Sequence, residues 1–265
     1  MPINILDEIA AKTKVRVEAA KQKLPLSDII KKAVSMTEGE SIHNNFEDAL
    51  KKPGISFICE VKKASPSKGI IAEHFSWLEI ALDYETAGAD AISVLTEPDY
   101  FLGSDNYLRE IASNVKIPCL RKDFTIDPYQ IYEAKTLGAG AVLLIVAMLD
   151  RETISSYIKI AEELKLAALV EAHNREEIEI ALNAGAKIVG INNRNLKNFD
   201  VSLENSSALR NFIPEGIICI AESGIQTAED VRVLSEMGFD AVLVGESLMK
   251  AEDRKEFLME LKSLI

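Results

Sequence analysis

Histidine and cysteine are scarce in this chain, three of each among 265 residues. His43, His74 and His173 form neither an HExxH nor an HxH pair, so the spacing supports no metal site. Cys59, Cys119 and Cys219 lie inside apolar runs, far from any CxxC or zinc pattern, and read as small buried core residues in a reducing compartment. No apolar run reaches the roughly 20 residues needed to cross a bilayer. The first segment, MPINILDEIAAKTKVRVEAAK, carries Asp7, Glu8 and Glu18 and lacks a continuous hydrophobic stretch, so it reads as a helix and not as a signal peptide. A cytoplasmic protein with no membrane partner is expected. Basic charge is lacking too: the net charge is −12 and the pI about 4.9. That argues against a nucleic-acid partner, which usually meets a basic patch. A small anionic substrate stays compatible, because a local cluster of Lys, Arg and helix N-termini can outweigh the global charge. Neither AESGI nor VGESL is a GxGxxG or P-loop motif. No linker or low-complexity stretch divides the chain, so one domain over residues 1–265 is expected.

What is present is a set of eight short apolar runs: ISFICE (Ile55 to Glu60), AISVLTE (Ala91 to Glu97), IPCLRK (Ile117 to Lys122), AVLLIV (Ala141 to Val146), AALVEA (Ala167 to Ala172), KIVGINN (Lys187 to Asn193), IICIAE (Ile217 to Glu222) and AVLVGE (Ala241 to Glu246). Amphipathic, charge-rich stretches separate them. Alternating strand and helix signals imply a parallel sheet covered by helices, and eight units imply an α/β fold of the (β/α)8 TIM-barrel type over residues 55–265. Gly88, Gly138, Gly185 and Gly238 recur about fifty residues apart, each near the end of a helix, where Gly suits the left-handed C′ position. Thr227 with Asp230 predicts a capping box, and Asp127-Pro128 another helix start. Residues 1–50 read as one or two additional N-terminal helices, with Ile5, Leu6 and Ile9 at helical spacing and Phe46 and Leu50 as a later pair. They are expected to plug one end of the barrel, a lid over the site being the alternative.

In such a barrel the carboxyl ends of all strands open onto one face. Strand side chains alternate, so Glu60 and Lys62 point the same way, with Ser56 and Ile58. An isolated Glu-x-Lys reads first as a structural ion pair. The loop that follows, KKASPSKG, offers Ser65 and Lys68 to a phosphate. If Leu120 faces inward, so does Lys122, and a second lysine near Lys62 is expected to depress the other's pKa. Leu169, Glu171 and His173 share a face. Glu171 reads as an acid or base, or as a carboxylate holding one of the lysines. Asn192 and Arg194 share a face and are able to orient a carboxylate or hydroxyls. AESGI and VGESL pair Gly224 and Gly245 with Ser223 and Glu246 at the ends where this architecture often binds phosphate. The Glu246 carboxylate is expected to point away from such a ligand. Phe101 and Phe124, just beyond strand ends, are able to cover an aromatic ring, or to pack between loop and helix.

FICEVKKASPSKG, LTEPDYFLGS, PCLRKDF, LVEAHN, VGINNRNL, AESGI and VGESLM, in this order, resemble the indole-3-glycerol-phosphate synthase family of tryptophan biosynthesis over nearly the whole chain. Some members are fused to a second barrel; a monofunctional, single-barrel protein is expected here. The resemblance implies a metal-free, cofactor-free lyase, and a monomer is expected. Its substrate would be the phosphorylated, anthranilate-derived 1-(2-carboxyphenylamino)-1-deoxyribulose 5-phosphate, closed to an indole with loss of carbon dioxide and water. It implies Lys122 as general acid, Lys62 on the anthranilate carboxylate, Glu171 as acid or base in the dehydration, and Glu60 positioning the lysines and binding a hydroxyl. Asn192 would hold the intermediate's oxygen with support from Arg194, and Glu222 and Ser223 would contact hydroxyls. Ser65, Gly224, Gly245 and Glu246 would bind phosphate, and Phe101 and Phe124 would flank the ring. The isomerase preceding this step is the nearest rival, but it needs a cysteine or aspartate pair, and Cys59 faces the other side of its strand from Glu60. A non-catalytic barrel that binds a phosphorylated metabolite is the rival of another class.

Overall fold

The computed structural model describes residues 5–38, 45–195 and 200–265. His43 and the first four residues of the amino-terminal segment lie outside them. Each of the eight apolar runs carries a strand: β1 (Ser56–Val61), β2 (Ala91–Leu95), β3 (Cys119–Lys122), β4 (Ala141–Ile145), β5 (Ala167–Ala172), β6 (Ile188–Asn192), β7 (Ile218–Glu222) and β8 (Ala241–Val244). Every strand pairs in parallel with the next, and β8 pairs with β1, which closes the barrel. Helices follow the strands. The four repeated glycines all take left-handed backbone just after a helix, with φ between +81° and +94°. The Thr227–Asp230 capping box is formed, and the Asp127 carboxylate accepts the Tyr129 N–H at 2.9 Å. Immediately after β1 the chain adds a small antiparallel hairpin, Ala64–Ser65 with Gly69–Ile70.

The period-2 alternation of the strands sorts two cores. Phe57, Cys59, Val61, Cys119, Val170 and Cys219 pack outward against the helices. Ile58, Leu120, Leu143, Leu169, Ile220 and Leu243 fill the barrel interior. The three cysteines are buried and free, and burial raises the pKa of each thiol, which makes them inert. No helix among the described residues is long and apolar enough to cross a membrane.

Three helices precede β1: α1 (Ile5–Lys23), α2 (Leu26–Glu38) and α3 (Phe46–Leu50). They divide the two roles between them. Phe46 and Leu50 of α3 are fully buried in the interior core with Ala91, Ala141, Ala167 and Ala241, the first residues of their strands, so α3 is the plug. Helix α1 crosses the opposite, carboxyl end. Its Ile5, Leu6 and Ile9 line the cavity there, and its polar side holds the loops after β2 and β3. Glu8 accepts from the Tyr100 hydroxyl at 3.1 Å, Lys21 reaches Asp127 at 2.7 Å, and Arg16 reaches Asp123 at 2.6 Å.

Asp123 is the buried end of this latch. It also accepts from the Thr96 hydroxyl at 2.6 Å and lies 3.6 Å from Arg121. Burial pushes its carboxyl pKa up, but Arg16, Arg121 and the Thr96 bond outweigh that and hold it below the usual range. Replacing Asp123 by Asn is expected to destabilise the fold by about 3 kcal/mol, the scale for breaking a buried ion pair from one side. A lowered folded pKa contributes stability that is present above the unfolded value and lost as pH falls through the folded one. Wild type and Asp123→Asn therefore converge as pH drops below about 4. Urea midpoints measured against pH check this, and equal midpoints at neutral pH contradict it.

Candidate active site

A cavity of about 800 Å³ opens at the carboxyl ends of the strands. Glu60, Lys62, Ser65, Phe101, Lys122, Phe124, Glu171, Asn192, Arg194, Glu222, Ser223, Gly224, Gly245 and Glu246 all line it. The structure thus brings together every site residue expected from sequence. A second cavity of about 410 Å³, between α1, α2 and the helix Tyr129–Thr136, contains none of them.

Strand register builds the charged floor. Glu60 pairs with Ser93 and Ser93 with Leu120, two residues before Lys122. Glu171 pairs with Gly190 and Gly190 with Ile220, two residues before Glu222. Glu222 in turn pairs with Leu243, and Leu243 with Ile58, two residues before Glu60. This is the stagger that strand tilt imposes on a closed barrel. It places Glu60, Lys122, Glu171 and Glu222, from β1, β3, β5 and β7, in one inward layer. Ile58, Leu120, Leu169 and Ile220 lie one inward position below them.

Within the layer the Lys122 ammonium donates to Glu222 at 2.5 Å and to Glu171 at 3.0 Å. Lys62 donates to Glu60 at 2.5 Å, and the other Glu60 oxygen accepts from the Ser93 hydroxyl at 3.3 Å. Each lysine therefore donates to different carboxylates, and the expectation of a depressed Lys122 is corrected. Burial lowers the Lys122 pKa, but Glu222, Glu171 and Glu60 more than offset this and hold it above the ordinary lysine value. The two carboxylates diverge. Burial pushes Glu171 up, but Lys122 and His173 pull it below the usual range. Burial also pushes Glu222 up, and there the charges of Glu171 and Glu60 add to it, so Glu222 stays above its ordinary value despite Lys122. Two acids of one type, held apart in this way, are suited to opposite halves of a proton transfer.

The rim carries the remaining groups. Asn192 holds its own loop, its side-chain oxygen accepting from the Arg194 N–H at 2.9 Å. Arg194 reaches the Ser67 hydroxyl at 3.4 Å. The Glu246 carboxylate does not turn away from the cavity: it accepts from Lys250 at 2.6 Å and lies 3.6 Å from Arg194 and 3.9 Å from Lys68. Those cations neutralise it, which removes the repulsion an anionic ligand would otherwise meet. Ser223 adopts a left-handed φ of +68° beside Gly224 at +87°, a strained arrangement typical of functional loops. Phe101 and Phe124 face each other with ring centroids 5.9 Å apart. Phe101 is held by Glu97, a buried carboxylate that accepts the N–H groups of Asp99, Tyr100 and Phe101 at 2.7 to 3.0 Å.

Sequence reasoning passed over Glu97, Ser67 and Gly190. For Gly190 a signal existed, since a glycine inside an apolar strand often marks a close approach. A Cβ at Gly190 would collide with the Glu222 carboxylate and lie 3.1 Å from Leu169; one at Gly245 would collide with Glu60. These glycines make room for the charged layer. Gly190→Ala is expected to displace the Glu222 carboxylate from Lys122 and to cost about 1–3 kcal/mol by overpacking. A crystal structure and a melting curve of the variant check this, and an undisturbed pair at wild-type stability contradicts it.

A model of the family described as indole-3-glycerol phosphate synthase matches residues 6–261. The chain is 53% identical over 258 residues to the indole-3-glycerol phosphate synthase of Ruminiclostridium cellulolyticum, covering 97% of this chain and 98% of that one. It is 50% identical over 270 residues to the protein of the same name in Lachnoclostridium phytofermentans, covering 98% and 100%. Among solved structures, 3-hexulose-6-phosphate synthase from Salmonella typhimurium aligns with a TM-score of 0.65 at 16% identity, over 79% of this chain and 98% of that one, a likeness of fold alone. A closed barrel with a charged layer at its carboxyl mouth, joined to identity of this extent and coverage, leads to one conclusion: the chain belongs to the indole-3-glycerol phosphate synthase family, enzymes of the carboxy-lyase type that act on a phosphorylated small molecule in tryptophan biosynthesis.

Proposed function

We propose that this cavity closes the indole ring of 1-(2-carboxyphenylamino)-1-deoxyribulose 5-phosphate by lysine and carboxylate acid–base catalysis. The observation that carries the reading is the Lys122 ammonium held between Glu171 and Glu222. The ring carbon bearing the carboxylate attacks the ketone carbon, and Lys122 delivers a proton to the ketone oxygen as the carbon–oxygen π bond breaks. Lys62 faces the carboxylate, which leaves as carbon dioxide and returns its electron pair to the ring. Dehydration follows: Lys62 donates a proton to the new hydroxyl, which leaves as water, and a base takes the proton from the neighbouring carbon. Glu171, held ionised, is the base, and general catalysis of this kind contributes a factor of about 10²–10⁴.

The other residues bind and orient. Glu60 positions the lysines and meets a substrate hydroxyl, as do Glu222 and Ser223, while Asn192, with Arg194 behind it, holds the intermediate's oxygen. Ser65, Gly224, Gly245 and the backbone of Glu246 take the phosphate. Phe101 and Phe124, with Ile5, Leu6 and Ile9 of α1, give the aromatic ring an apolar wall. Holding both ends of the substrate positions its reacting carbons, an effect worth several kcal/mol. One domain, acting as a cytoplasmic monomer without metal, is sufficient for this chemistry.

Purified protein incubated with the substrate is expected to develop indole fluorescence, undiminished by excess chelator. Lys122→Met is expected to lose turnover by at least about 10³-fold, within the range for a general acid, while keeping its fold and its affinity for inorganic phosphate. Near-normal turnover in that variant, or activity that chelation removes and added metal restores, contradicts the reading.

A further inference from the structure

His173 stands just past β5, two residues beyond Glu171, and the mechanism above gives it no task. Its side chain is only 13% exposed. On one side Nδ1 lies 3.0 Å from Glu177 Oε2, an oxygen that also accepts the His173 backbone N–H at 2.8 Å. Glu177 sits in the first turn of the helix Arg175–Asn183, and its other oxygen accepts from Asn174 at 2.8 Å. A carboxylate so bonded is an acceptor, which assigns the proton to Nδ1. On the other side Nε2 is buried without a hydrogen bond, 3.4 Å from Oε1 of Glu171.

A neutral imidazole in that tautomer would point a lone pair at a carboxylate in a dry site, which is repulsive. A proton on Nε2 converts the repulsion into a charge-assisted contact. The groups facing the ring favour that form: Glu177 on the following helix, Glu171 at the end of β5 and Glu222 on β7. Together they outweigh the burial that opposes it and hold His173 above its ordinary pKa.

We propose that His173 is a positioning residue for Glu171: an imidazolium anchored by Glu177, it donates Nε2–H to Glu171 and makes Glu171, rather than Glu222, the ionised partner of Lys122. The two carboxylates contact the same ammonium, so Lys122 alone gives little reason for them to differ. Glu171 has a second cation, and Glu222, with one oxygen buried and unbonded, has none within hydrogen-bonding reach besides Lys122 among the described residues. His173 breaks the symmetry, alongside the Asn192 side chain that bonds Glu171 and the Glu60 charge that acts on Glu222. The catalytic half of this inference rests on Glu171 being the base, as proposed above; the electrostatic half does not.

The test has two arms. In the resting protein, ¹⁵N NMR of the histidine rings, with the His173 signals assigned by their loss in His173→Gln, is expected to show both nitrogens protonated at neutral pH. The titration should lie above about 6.5, the ordinary value, and move down in Glu171→Gln and in Glu177→Gln. A ring that is neutral at pH 7 and indifferent to Glu171→Gln overturns the proposal. In the kinetic arm, removing the cation raises the Glu171 pKa, so the ionised base is lost first at low pH. His173→Leu is therefore expected to move the acid limb of kcat up by about one pH unit, a loss on the order of tenfold on that limb, with KM within about twofold. His173→Gln, which keeps a donor without charge, should fall between. A wild-type pH profile in His173→Leu overturns the catalytic half. Because the NMR arm needs no turnover, a wild type that fails to form indole would defeat the proposed reaction and leave the histidine result standing.

Discussion

One buried ammonium organises this site. Lys122 lies in the barrel interior, its side chain 14% exposed, with Glu222 and Glu171 in direct contact and Glu60 close enough to act on it. Removing a lysine charge from water costs several kcal/mol even after the protein relaxes, and here the carboxylates offset that cost. They in turn are kept charged or neutral by what surrounds them. The group able to protonate a ketone and the groups able to shuttle protons in a dehydration thus hold one another in their working states before any substrate arrives.

That arrangement is a product of barrel geometry. The stagger between strands brings one inward residue from each of β1, β3, β5 and β7 to a common height, and all four are titratable. Gly190 and Gly245 supply the empty volume that these side chains occupy. The covering helix is tied to the same place. Asp123, which anchors α1 through Arg16, is the residue after Lys122, so the lid is latched to the strand that carries the lysine. Lid, latch and acid share a few residues of backbone, and a change in one is expected to be felt by the others.

Much of this was legible in the sequence because strand periodicity is strict. Glu60, Lys122, Glu171, Asn192 and Glu222 stand at inward positions of apolar runs, and a closed parallel barrel gathers such positions at one mouth. Other features were not legible, for identifiable reasons. The sign of the Lys122 shift depends on how many carboxylates face it across the barrel, a matter of register between distant strands. Inward placement of both lysines suggested that one would depress the other's pKa, and the structure puts Lys62 on Glu60 instead. Both α1 and α3 present apolar residues at helical spacing, so nothing local said which would plug the floor and which would cover the mouth. Glu97 looks like an ordinary loop acid until three backbone N–H groups are seen to converge on it.

The claim that everything else depends on is that Lys122 stays an ammonium because carboxylates enclose it. Its side-chain nitrogen is directly observable by ¹⁵N NMR of lysine-labelled protein, with the signal assigned by its disappearance in Lys122→Met. The account predicts a resonance that remains that of an ammonium beyond the ordinary lysine value of about 10.4 and titrates earlier when Glu222 is replaced by Gln. A Lys122 signal that loses its proton between about pH 7 and 9, as a lysine depressed by a neighbouring cation would, contradicts it.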